Sequence, residues 1–168
     1  KSENYISWVE HVGKFLPVND KGKIEDVGYI YFHSFVKTED GKIFGIGEQY
    51  RKAISAGAVA LNLLSSNSEV SNTKLVIEDF YIFEFNTDFA LKDVKVFEKG
   101  KSNIMLPKGA TFMSPAWIAN YMMYYGSFDY SFLQQTAEGD VFHIGYQDYD
   151  RDAEKDQRAY FGAISYAD

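Results

Sequence analysis

Tyr29-Ile30-Tyr31-Phe32-His33-Ser34-Phe35-Val36-Lys37-Thr38-Glu39-Asp40-Gly41-Lys42-Ile43-Phe44-Gly45-Ile46-Gly47-Glu48-Gln49-Tyr50 is the stretch whose reading decides the fold. Asp40-Gly41 lies between two runs rich in aromatic and β-branched residues. That dipeptide is a strong hairpin signal, because both central positions of a type I′ turn need φ > 0. A two-residue loop there predicts that Glu39 faces Lys42, Phe35 faces Ile46, His33 faces Glu48 and Tyr31 faces Tyr50. One of three histidines then stands opposite a carboxylate, with a tyrosine pair beside it. A carboxylate opposite an imidazole orients the ring and favours its charged form, the arrangement of a general base.

Both faces of the first strand are apolar, which predicts burial on both sides. The return strand carries Gly45 and Gly47 on one face, and glycine inside a strand marks a bulge or a close approach. A helix expected over Arg51 to Ser65 carries the small residues Ala53, Ala56, Gly57 and Ala60. It is expected to pack on the glycine face and leave the His33/Glu48 face free.

Further out, Tyr5, Val9, Val12 and Leu16 recur at helical spacing, so Asn4 to Leu16 reads as a helix capped by Ser2 and stopped by Pro17. Ser65 to Thr73 is a polar loop. Strands are expected over Lys74–Phe85, Leu91–Glu98, Asn103–Leu106, Val141–Tyr149 and Arg158–Tyr166. Ser114-Pro115 opens a helix that places Trp117, Tyr121 and Tyr125 on one stripe, read as its inward face, and Gly126 ends it. Ser131 to Gln135 is assigned a short helix. Strands mixed with three or four helices and no βαβ alternation give one α+β domain over 1–168, a mainly antiparallel sheet with helices packed on it. It is also readable as a domain excised from a larger protein.

The 168 residues carry a net charge of −7, with 14 Phe and 13 Tyr but no Cys. An acidic surface argues against nucleic-acid binding through phosphates and against docking on an anionic membrane, and it suits a basic partner. The lack of Cys excludes disulfides, thiolate catalysis and Cys-ligated metals. No run approaches a membrane span, no signal peptide is recognised, and the compartment is left open.

Asp148, Asp150 and Asp152 resemble the start of a calcium loop, but Ala153 stands where such a loop needs Gly and Ala159 where it needs Glu. A zinc site from His33, His143 and Glu48 would need the two hairpins to meet. No metal or other cofactor is therefore assigned. Phosphate-binding glycine loops and the common hydrolase and kinase signatures are absent. Two functions are carried forward. The first is an acidic protein-interaction module without catalysis, of the inhibitor or accessory-domain type. It would bind through Tyr146, Asp148, Tyr149, Asp150, Asp152 and Tyr160. The second is an enzyme or small-ligand binder that uses Tyr31, His33, Glu48 and Tyr50 in a pocket on the sheet.

Overall fold

A computed structural model describes residues 7–64, 71–149 and 159–167. The protein is mainly antiparallel sheet with three α-helices, an α+β mixture. The elements run α1 (Trp8–Val12), β1 (Tyr29–Lys37), β2 (Ile43–Ile54), α2 (Ala56–Leu64), β3 (Thr73–Phe85), β4 (Leu91–Phe97), β5 (Ser102–Met105), α3 (Pro115–Tyr124), β6 (Tyr130–Gln135), β7 (Val141–Tyr149) and β8 (Ala159–Ala167). A 3-10 turn at Ala110–Phe112 precedes α3. Instead of one sheet there are two. β1 to β4 pair in chain order, with β5 also on β3, and β6-β7-β8 form the second sheet.

The sheets meet through one apolar layer. Val36, Phe44, Ile46, Phe80 and Ile82 of the first pack with Phe142, Ile144 and Ile164 of the second. Further along the same face of β2 and β3, Tyr50, Leu75 and Ile77 are covered by Ile118, Ala119 and Met122 of α3 and by Phe128. The opposite face of the first sheet is closed by Trp8, Val12, Leu16 and Val18 of the N-terminal segment. β2 is buried on both faces, whereas β1 is only half-buried, with Val36 buried and Phe35 exposed, so the expected burial of both sides of the first strand is met only in part.

The first hairpin forms, but its loop is wider than expected. Gly41 N–H donates to Thr38 O and Thr38 N–H to Lys42 O, with φ positive at Gly41 alone. This is a three-residue loop, a turn followed by a left-handed glycine, and it shifts the register by one. Phe35 therefore pairs with Gly45 and not with Ile46. A bulge between Phe32 and Ser34 shifts the register once more, so Tyr31 pairs with Glu48 and Tyr29 with Tyr50.

Four helical expectations are corrected. α1 is only Trp8–Val12, capped by Ser7, and does not run on to Leu16. β2 continues through Ile54, and α2 is shorter, with only Ala58 buried. The close approach that demands glycine comes from β1. A Cβ on Gly45 would meet the Phe32 and Phe35 rings at 2.9 and 3.0 Å, and one on Gly47 would meet Ile30 Cγ2 at 2.3 Å. Residues 131–135 belong to strand β6. α3 starts where Ser114-Pro115 places it, with the Ser114 hydroxyl accepting from Trp117 N–H at 3.3 Å. It buries Ile118, Ala119 and Met122, however, and turns Trp117, Tyr121 and Tyr125 outward. Among the described residues no helix is long and apolar enough to cross a membrane.

Candidate functional site

Glu48 lies on the inner face of β2 and is fully buried. A buried carboxylate must be paired and hydrogen-bonded, and this one has four donors. Oε1 accepts from Lys99 Nζ at 3.2 Å and from Asp129 N–H at 3.3 Å. Oε2 accepts from His33 Nε2 at 3.1 Å and from Tyr130 N–H at 3.3 Å. The β4–β5 turn delivers Lys99, and the start of β6 delivers the two amides, so this one side chain ties the two sheets together.

Lys99 is equally buried and also donates to Asp129 Oδ2 at 2.5 Å. Ser102 Oγ donates to the same oxygen at 2.9 Å, and Tyr149 OH to Oδ1 at 3.4 Å. Burial pushes the Asp129 carboxyl above the usual aspartate range, the Lys99 ammonium opposes that, and the Glu48 charge adds to it. Two carboxylates thus share one ammonium in a site closed to water.

Above this cluster is a cavity of about 220 Å³ lined by Tyr31, His33, Met123, Gly126, Phe128 and Tyr130. Its rings hold one another. His33 stacks on Tyr130 at 4.5 Å, Tyr31 stacks on Phe128 at 4.9 Å, and His33 stands edge-on to both Tyr31 and Phe128. Tyr130 is fixed in turn by a 2.9 Å hydrogen bond between its hydroxyl and Ser34 Oγ. Gly126 follows α3 at φ 61°, a left-handed turn that brings the chain back to Phe128.

The His33–Glu48 pair forms, although the predicted register does not. Tyr31 lines the cavity with His33, and Glu48 lies beneath them. Tyr50 is elsewhere. It is a core residue against Tyr29 and Phe128, and burial drives its phenol well above the ordinary tyrosine range. It contributes no proton chemistry at neutral pH.

The second predicted surface is only partly brought together. Tyr146 packs on Phe80 in the layer between the sheets. Asp148 accepts from Gly100 N–H at 2.6 Å, and Tyr149 reaches Asp129, so both brace the β4–β5 turn. Tyr160 is exposed. Asp150 and Asp152 lie outside the described residues. His143 Nδ1 bonds Ser165 Oγ at 2.9 Å, away from His33. Among the described residues no group of three or more His, Asp or Glu side chains is placed to hold a metal ion.

Lys99, Asp129, Phe128 and Met123 are site residues that the sequence did not point to. Lys99 sits in a Lys-Gly-Lys turn that reads as solvent-facing. Asp129, an acid enclosed between Phe128 and Tyr130, carried the one usable signal: a charge between two aromatics needs a buried partner.

Fold and site together define a two-sheet antiparallel α+β protein with an ionic cluster under an aromatic cavity. The chain belongs to a family described as a family of unknown function (DUF6770), whose model matches residues 1–168. No curated protein and no solved structure matches it.

Proposed function

We propose that the protein is a recognition module for a basic partner protein, and that the partner inserts a side chain into the cavity bounded by Tyr31, His33, Phe128 and Tyr130. The observation that carries this reading is the cavity itself: a concave site with aromatic walls, one buried polar group and a rigid base. Its rim supports a protein partner. Met123 lines the cavity and is exposed, and the end of α3 beside it leaves Tyr124 82% and Tyr125 61% exposed. Exposed aromatics are what protein interfaces use. The net charge of −7 favours a basic surface opposite.

Binding is preferred to catalysis because, among the described residues, no Ser, Thr, Lys, Asp or Glu side chain lines the cavity beside His33, and Glu48 beneath it already accepts four hydrogen bonds. The recognition surface is the cavity and not the last hairpin, because Tyr146, Asp148 and Tyr149 are committed to packing and bracing. The same cavity in a free-standing small-molecule binder is the second reading, favoured by its modest size.

The test is capture from the native cell extract by wild type, by Tyr124→Ala/Tyr125→Ala, and by a Phe161→Ala control on β8. A basic protein held by wild type and the control but lost from the double variant agrees with the reading. Equal capture by all three contradicts it.

A further inference from the structure

The imidazole of His33 sets the chemistry of what the cavity accepts. Its side chain is only 6% exposed, and Nε2 is held by the Glu48 carboxylate. A carboxylate accepts, so Nε2 carries the proton and the neutral ring keeps its lone pair on Nδ1. Nδ1 has no hydrogen-bond partner among the described residues, and His33 lines the cavity. In its neutral form the ring therefore offers the cavity an acceptor at Nδ1.

Two carboxyl groups, Glu48 and Asp129, face a single amine, Lys99, so the cluster behind that acceptor holds more acidic than basic groups. The remaining walls are the rings of Tyr31, Phe128 and Tyr130 and the thioether of Met123, suited to a short alkyl chain and to a cation near aromatic rings.

We infer that the group recognised in this cavity is a primary ammonium on an alkyl stem, as at the end of a lysine side chain, donating to His33 Nδ1. This rests on the cavity being the recognition site. An ammonium supplies the donor that Nδ1 lacks and a positive charge beside a cluster with more acidic than basic groups. A proton on Nδ1 supplies the same two things, so ligand and proton exclude each other. The titratable and charged groups around the ring are Tyr31 on β1, Glu48 on β2, Lys99 in the β4–β5 turn, and Asp129 and Tyr130 at the start of β6. Tyr149 of β7 touches Asp129.

The test uses wild-type protein and three probes with one stem: n-butylammonium, 1-butanol and butyrate. Binding is followed by NMR shifts of the Tyr31, Phe128 and Met123 signals. Butylammonium is expected to bind at least about tenfold tighter than butanol, with butyrate weakest. Its affinity should fall about tenfold or more when the imidazole is protonated, while that of butanol changes little. Equal binding of butylammonium and butanol, or a preference for butyrate, overturns the ammonium assignment and leaves the cavity as a site. If no probe moves the cavity signals while partner capture still depends on Tyr124 and Tyr125, the ammonium assignment fails and the rim alone is the recognition surface. If both experiments fail, the recognition reading falls with it.

Discussion

His33 and Glu48 meet at 3.1 Å although the strand ladder does not pair them. Tyr31 is the residue opposite Glu48, and His33 is the extra residue of the bulge between Phe32 and Ser34. A bulge re-aims a side chain without breaking the hairpin. Here it places the imidazole over the carboxylate and beside Tyr130.

Lys99→Met leaves Glu48 and Asp129 facing each other in a buried site with no cation. Breaking a buried ionic cluster by removing one partner costs about 3–5 kcal/mol. Denaturant unfolding is expected to show a loss of that size with an unchanged slope. A loss under about 1 kcal/mol would mean that the cluster is not closed to water.

Glu78 gives stability a dependence on pH. Burial pushes its carboxyl up, but hydrogen bonds from Arg51 and Lys101 prevail and hold it below the ordinary value of 4.5. A lowered folded value means that the native state gives up this proton more readily than the unfolded chain. Its stabilising contribution is complete above the ordinary glutamate range and is lost as pH falls through the folded value. Asp129, raised by burial, has the opposite sign: its contribution is complete at low pH and declines as pH rises through its folded value. Stability measured from pH 7 to pH 3 should fall less in Glu78→Gln than in wild type.

Two glycines separate close packing from mere conformational freedom. A Cβ on Gly100 would sit 2.3 Å from the backbone oxygen of Tyr149, which cannot swing aside. Gly100→Ala should therefore cost about 1–3 kcal/mol, the usual range for overpacking, and loosen the turn that carries Lys99. Gly57, in α2, has no atom within 4 Å of an added Cβ. Gly57→Ala should stabilise by about 0.5–1 kcal/mol, because alanine loses less entropy in a helix. Thermal unfolding of the two variants checks the opposite signs.

Ser114→Ala removes the side-chain acceptor for Trp117 N–H at the start of α3. About 1 kcal/mol should be lost. Because α3 supplies Met123 to the cavity wall, the NMR signals of Met123 and Phe128 should broaden more than those of Phe142, which lies between the sheets. Uniform broadening would argue that α3 does not move independently.

Much of the fold was legible where local chemistry is strong. Val141–Tyr149 is the strand the alternation predicts, and Ser114-Pro115 starts a helix because cap and proline act within one turn. The first hairpin was legible as a hairpin, but its register was not, since Asp40-Gly41 suits both a two-residue and a three-residue loop and nothing in the local sequence marks the bulge at His33. The stripe Trp117, Tyr121 and Tyr125 was read as core because aromatics bury large areas, yet the sheet selects the smaller Ile118 and Ala119. Half of the site was readable, because His33 and Glu48 share one hairpin. Lys99 and Asp129 come from a turn and a strand start distant in sequence, and no local pattern joins them.

The most direct measurement is the pair of ¹⁵N chemical shifts of the His33 ring, followed through its titration with and without n-butylammonium. A protonated Nε2 and a pyridine-like Nδ1 are expected in the neutral ring, with Nδ1 the atom that shifts when the ammonium binds. A neutral ring protonated on Nδ1, or an Nδ1 signal indifferent to the ligand, would contradict the ammonium assignment.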